Sequence, residues 1–200
     1  MKEKTKTKKE RGPMLILIGE SASGKSTVQR VLAERGIRKV VTYTTRPMRP
    51  GEMDGIDYHF VTDERFLEMV EAGEFAEYAE YRGWRYGTAL ADCGYRNTSA
   101  ALTPAGLRAL KRAGVPNSSV YLKVDRLSRL IKCLQRDGEK KIEESYRRNL
   151  SDVGQFDAVE YETDHVVRND RYEKSEIIVA NEIRSLYEAD LANSTRRSEA

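Results

Sequence analysis

Met14-Leu-Ile-Leu-Ile-Gly-Glu-Ser-Ala-Ser-Gly-Lys-Ser-Thr27 decides the fold of this chain. Its first five residues are all apolar, which predicts a short strand buried on both faces. The next eight, Gly19 to Ser26, fit the pattern G-x-x-x-x-G-K-[ST]. Gly19 and Gly24 let the backbone curl tightly. The N–H groups along Ser21, Ala22, Ser23, Gly24, Lys25, Ser26 and Thr27 then point inward as an anion nest. Lys25 is long enough to reach β- and γ-phosphates, and the Ser26 hydroxyl is placed to ligate Mg²⁺. A helix beginning near Ser26 adds the positive end of its dipole. The pattern implies a nucleoside triphosphate with Mg²⁺, held where a strand turns into a helix.

Outward from this loop, strands and helices alternate. Val28, Val31 and Leu32 carry the first helix to a stop at Gly36, and Val40 to Thr44 reads as the next strand. Residues 45–91 change character, with Gly and Pro punctuation and many tyrosines. They hold an amphipathic helix from Asp63 to Ala72, a strand from Phe75 to Tyr81, and a turn at Arg82-Gly83 into Trp84-Arg-Tyr86. A mostly antiparallel insertion is expected there. Regular alternation returns with a strand at Thr98–Leu102, a helix opened by the N-cap Thr103 and Pro104, and a strand at Ser119–Val124. Asp125 caps a helix to about Asp137, a charged stretch follows, then come a strand at His165–Arg168 and a final helix over 171–190. This order predicts α/β architecture with a parallel sheet flanked by helices.

Two hundred residues with 39% hydrophobic content suit one domain, expected over 13–190. No apolar run reaches the roughly 20 residues of a membrane span, and no signal-peptide pattern follows the start, so a cytoplasmic location is expected. Cys93 and Cys133 lie far apart and read as buried free thiols. His59 and Trp84 read as packing residues. The net charge of +3 is uneven: residues 1–11 carry six cations against two acids, a local +4, which leaves −1 for the remainder. A disordered basic leader over 1–12 and a flexible tail over 191–200 are expected. With no basic footprint on the body, a nucleic-acid partner is not expected, and oligomeric state is open.

A phosphoryl acceptor needs its own site. Thr44-Thr-Arg46-Pro-Met-Arg49-Pro-Gly-Glu52 sets two guanidiniums on a Pro-punctuated turn, suited to the forked recognition of a phosphate monoester. Tyr58 and Tyr86 could add phenolic donors. These residues, with Gly55-Ile-Asp57-Tyr58-His-Phe-Val61, Phe75-Ala-Glu77, Tyr86-Gly-Thr88 and Val167-Arg-Asn169-Asp, resemble the guanylate kinase family over roughly residues 13–190. The resemblance implies a five-stranded parallel core, a mobile acceptor-binding insertion at about 45–91 and a helical lid at about 125–152. It also implies that Arg46, Arg49, Tyr58 and Tyr86 grip the acceptor's phosphate, while Glu77, Thr88 and Thr42 read its base. The chemistry agrees. Guanine's N1–H and N2–H₂ suit one carboxylate and its O6 suits a hydroxyl donor, whereas adenine sets an acceptor against that carboxylate.

The same resemblance assigns Arg136 and either Arg147 or Arg148 to the lid, absorbing charge on the phosphoryl group beside Lys25. Arg126 and Arg129 read as a solvated helix face. One departure stands out: by register with Gly106, an acidic pair of the family is replaced here by Ala101 and Thr103, leaving Glu20, Glu52 or Asp57 as stand-ins. The expected function is ATP-dependent phosphoryl transfer to GMP or dGMP. Two rivals remain at this point, a catalytically weak guanylate-kinase-like interaction module and a related small-molecule kinase.

Overall fold

Met14–Ile18 forms β1, and none of its five side chains is exposed. Alternation along the strand divides them. Met14, Ile16 and Ile18 pack into one core cluster, and Leu15 and Leu17 into another. A strand with two apolar faces needs helices on both sides, and the computed structural model, which describes residues 10–48, 51–81, 83–137 and 142–198, supplies them. The first cluster includes Leu107 and Leu110 of α3 (Pro104–Arg112). The second takes Val28, Val31 and Leu32 of α1 (Lys25–Glu34) with Val179, Ile183 and Tyr187 of α7 (Glu176–Ser198).

The strands β2 (Arg38–Lys39), β7 (Thr98–Ala101), β1, β8 (Asn117–Lys123) and β9 (His165–Arg168) lie in that order, and every neighbouring pair is parallel. β1 is central. Its carboxyl end therefore delivers the Gly19–Thr27 loop to the middle of the sheet's upper edge, where ligands of open α/β sheets bind. A second sheet has the order β4 (His59–Phe60), β3 (Tyr43–Thr44), β6 (Trp84–Ala89), β5 (Phe75–Tyr81). β3–β6 and β5–β6 are antiparallel and β3–β4 is parallel, so the insertion is mostly antiparallel as expected. Thr62 caps its helix, α2 (Asp63–Glu71), by accepting the Arg65 N–H.

Several boundaries differ from the sequence reading. The strand expected over Val40–Thr44 is shorter, Tyr43–Thr44, and joins the second sheet, while Arg38–Lys39 just before it joins the parallel sheet. The charged stretch after Asp137 contains α5 (Ile142–Ser151) and is followed by the short α6 (Val159–Glu162). The last helix runs to Ser198 rather than 190, and the leader's end is ordered from Glu10. Arg11 pairs with Tyr95, the Glu10 carbonyl accepts the Arg96 N–H, and Arg96 donates to the Thr195 hydroxyl. No helix among the described residues is long and apolar enough to cross a membrane. Residues 1–9 of the leader lie outside the described residues.

Candidate active site

The loop's shape follows from its glycines. A Cβ at Gly19 would meet Ser23 Oγ at 2.6 Å and the Leu122 carbonyl at 2.8 Å, so a side chain there would force the loop off β8. Gly24 takes φ +97° and begins α1 with no side-chain cap, which leaves the helix's first amides for a ligand. Ala22 takes φ +65°, a strained value for a residue with a Cβ. Its carbonyl accepts the Tyr172 hydroxyl at 2.7 Å. Arg171 and Tyr172 are themselves left-handed, at φ +55° and +53°. Asp125 holds that turn by accepting the Arg171 N–H, and Lys132 of α4 (Arg126–Asp137) lies over the Tyr172 ring. Strained residues persist only where their surroundings over-determine them. Here the surroundings join the glycine loop, α4 and the turn at Asp170–Tyr172.

Lys25 projects into the loop, its ammonium donating to the Gly19 carbonyl at 2.5 Å and the Glu20 carbonyl at 3.0 Å. Burial lowers its pKa to about 8, opposed by the charges of Asp152 and Glu20. Ser26 and Thr27 stand exposed in the first turn of α1.

A cleft of about 470 Å³ opens beside the loop, lined by Glu20, Tyr121, Lys123, Arg126, Arg129, Asn149, Asp152, Phe156 and Glu160 among others. Arg129 corrects the sequence reading. It is 6% exposed, not a member of a solvated face. Its guanidinium lies 3.4 Å from Glu20 and 4.0 Å from Asp152, and it donates to Asn149 Oδ1 and the Val124 carbonyl. Arg126 is exposed as expected, and Arg147 is exposed on α5. The side chains of Arg136 and Arg148 lie outside what is described. Arg129 and Asp152 were missed because their roles come from α5 folding back on α4, and a charged stretch alone does not announce that contact.

In the second sheet, β5 and β6 pair Glu77 directly opposite Thr88. The Thr88 hydroxyl donates to Glu77 Oε1 at 2.6 Å. Burial pushes the Glu77 carboxyl above its ordinary range, and the Thr88 bond partly offsets that rise. Glu77 Oε2 would sit 3.0 Å from a Cβ at Gly106, so that glycine admits the carboxylate to the start of α3. No register argument had foreseen this second use of Gly106.

Arg46 is buried at the end of β3, where its guanidinium meets both Glu52 oxygens at 2.7 and 2.9 Å and the Pro47 carbonyl at 2.7 Å. The Glu52 bond raises its pKa. Tyr58 and Phe60 flank it at 5.5 and 5.7 Å, and the Tyr58 and Tyr86 rings meet edge-on at 6.1 Å. Arg46, Tyr58 and Tyr86 are thus brought together. Thr42 precedes β3, its carbonyl accepting the His59 N–H. Arg49 lies outside the described residues. Tyr43 packs on His59 with ring centroids 4.6 Å apart, which fits a packing role for the histidine; Trp84 is exposed at the hairpin.

The positions that replace the acidic pair are spent otherwise. Ala101 is exposed, and Thr103 caps α3 by accepting the Gly106 N–H at 3.1 Å. Glu52 is engaged by Arg46 and Asp57 accepts the Met53 N–H. Among the described residues no group of three or more His, Cys, Asp or Glu is arranged to hold a metal ion. One protein hydroxyl, Ser26, with phosphate oxygens and water still makes an acceptable Mg²⁺ set, because that ion retains several waters and takes few protein donors.

Comparison with known proteins agrees with this geometry. The family model described as guanylate kinase matches residues 11–186. A guanylate kinase of Syntrophus aciditrophicus is 33% identical over 196 residues, covering 94% of this chain and 91% of that protein. One of Rhodopseudomonas palustris is 52% identical over 80 residues, 39% of this chain and 36% of that protein. The crystal structure of guanylate kinase from Anaplasma phagocytophilum superposes with a TM-score of 0.64 at 23% identity, covering 92% of this chain and 88% of that one, and shares the fold. With its glycine loop at the end of a central parallel strand and a Glu77–Thr88 pair on an antiparallel insertion, the chain belongs to the guanylate kinase family.

Proposed function

We propose that this protein transfers the γ-phosphoryl group of ATP to GMP or dGMP, giving ADP and GDP or dGDP. The observation that carries the acceptor's identity is the Glu77–Thr88 pair: a desolvated carboxylate beside a hydroxyl, on adjacent strands. The Glu77 carboxylate accepts guanine's N1–H and N2–H₂, and the hydroxyl turns its proton to O6. A purpose-built polar site rejects a base lacking those groups by about 10⁴-fold, since its own polar atoms would be left unpaired.

Arg46, with Tyr58 and Tyr86, receives the acceptor's phosphate in exchange for part of its bond to Glu52. An oxygen of that phosphate attacks the γ-phosphorus; the bond to the β–γ bridging oxygen breaks, and ADP leaves with the electron pair. Loop amides and Lys25 hold the donor and stabilise the charge that develops. Bound Mg²⁺ would be held by Ser26, phosphates and water, and would neutralise phosphate charge. A lid of α4 and α5 excludes water from the transfer.

A coupled assay of ADP release over the ribo- and deoxyribonucleoside monophosphates tests this reading. GMP and dGMP are expected to turn over well and AMP poorly. Equal turnover of AMP, CMP or UMP would remove the base-reading assignment, and no turnover of any monophosphate would favour an interaction module.

A further inference from the structure

Asp152 follows directly after α5 and reaches across to the phosphate loop. Its Oδ2 accepts the Ser21 N–H at 2.7 Å and lies 4.0 Å from Arg129 Nη1. It is also the largest charge supporting the Lys25 ammonium. Amide, guanidinium and ammonium are the three donors that a polyphosphate seeks in a loop of this kind. A second acid shares the place. Glu20, nine-tenths buried, lines the same cleft, pairs with Arg129 at 3.4 Å, and keeps its Oε2 without a hydrogen-bond partner.

We propose that Asp152 is a resident anion on the phosphate nest, an autoinhibitory contact from the lid that the triphosphate must displace. The inference rests on reading Gly19–Thr27 as the donor loop. Carboxylate and phosphate oxygens compete for the same N–H and the same guanidinium, and their like charges exclude joint occupancy. A polyphosphate carries more charge than one carboxylate and reaches more of the loop amides, so it displaces Asp152. A small monovalent anion does not. Release of Asp152 frees the end of α5 and hands Arg129 to the phosphate, coupling donor binding to the lid's position.

The test is calorimetric titration of the full chain with ATP, in the absence of acceptor, for wild type, Asp152→Asn and Asp152→Ala. The asparagine is isosteric and keeps the fold if the alanine does not. Both variants are expected to bind ATP about tenfold more tightly, the size of one charge-assisted contact released. Inorganic pyrophosphate should gain in the same direction, and adenosine, with no phosphate, should not. Unchanged or weaker ATP binding by Asp152→Asn overturns the proposal while leaving the donor-loop reading intact. Failure of the wild type to bind ATP overturns both.

Discussion

Thr88 donates its hydroxyl proton to Glu77 across the β5–β6 ladder at 2.6 Å, tying together the two residues proposed to read the base. Each therefore sets the other's state. Glu77→Gln replaces two acceptor oxygens by one, and the preference for GMP over AMP in kcat/KM is expected to fall at least about tenfold. Stability should move the other way. The folded Glu77 pKa is raised, so its favourable contribution is present below the unfolded value of about 4.3 and is lost as pH rises through the folded value. The glutamine variant should thus melt higher than wild type at neutral pH, with the gap closing on acidification. Thermal melts from pH 4 to 8 and the two acceptor assays check both directions.

Lys25 should show itself in pH dependence. Its pKa is lowered to about 8 by burial, and in the proposed donor site the charged form is the one that would hold phosphate. ATP affinity is expected to weaken as pH rises through about 8, well below the range of an ordinary lysine. Lys25→Ala should flatten that profile and cut kcat by about 10²–10³, corresponding to about 3–4 kcal/mol of transition-state stabilisation. ATP titrations between pH 6.5 and 9.5 read the first effect and steady-state rates the second.

In the proposed acceptor site, Arg46→Ala removes a contact made before chemistry begins. The KM for GMP is expected to rise about 10- to 100-fold with a smaller change in kcat. Glu52, no longer neutralised by the Arg46 guanidinium, adds repulsion toward the phosphate. The double variant with Glu52→Gln should therefore recover part of the loss, which initial rates against GMP concentration would show.

Ala101 and Thr103 bear on the metal. With Ser26 as the hydroxyl donor, the Mg²⁺ concentration for half-maximal rate should be high, and Ala101→Asp should lower it several-fold. Thr103→Asp keeps the cap of α3, because aspartate caps a helix as well as threonine does. The double variant consequently tests the metal without undoing the helix. Rate against free Mg²⁺ at saturating nucleotides is the measurement, and guanine preference should not change.

What was legible followed from covalent pattern. Met14–Ile18 could only be a two-faced strand, and Gly19 and Gly24 mark places where a side chain would collide or strain. Glu77 and Thr88 were named through the family resemblance, whereas their direct pairing is seen only in the β5–β6 ladder, whose register shifts between Phe75 and Glu77. Arg129 was not readable. Its burial depends on Asn149 and Asp152 arriving from another helix, and neither contact has a local signature. The placement of residues 38–44 in two sheets was hidden for the same reason: only their partners, Ser99 for Lys39 and Gly87 for Tyr43, separate them. Tyr172 lies in a turn whose left-handed pair carries no glycine, so nothing in the letters marked it.

Cys93 and Cys133 are the chain's two thiols, and both are buried and unbridged. The Cys93 pKa is pushed up to about 12 by burial and by the charges of Asp92 and Glu77, which makes it inert to alkylation at neutral pH. Cys133 of α4 lies beneath Asn149 of α5, whose amide donates to its sulfur at 3.4 Å. A thiol reagent is therefore expected to reach Cys133 when α5 lifts from α4. The protein thus carries its own chemical clock: the rate of Cys133 labelling would count separations of α5 from α4, with no probe introduced and little background from Cys93.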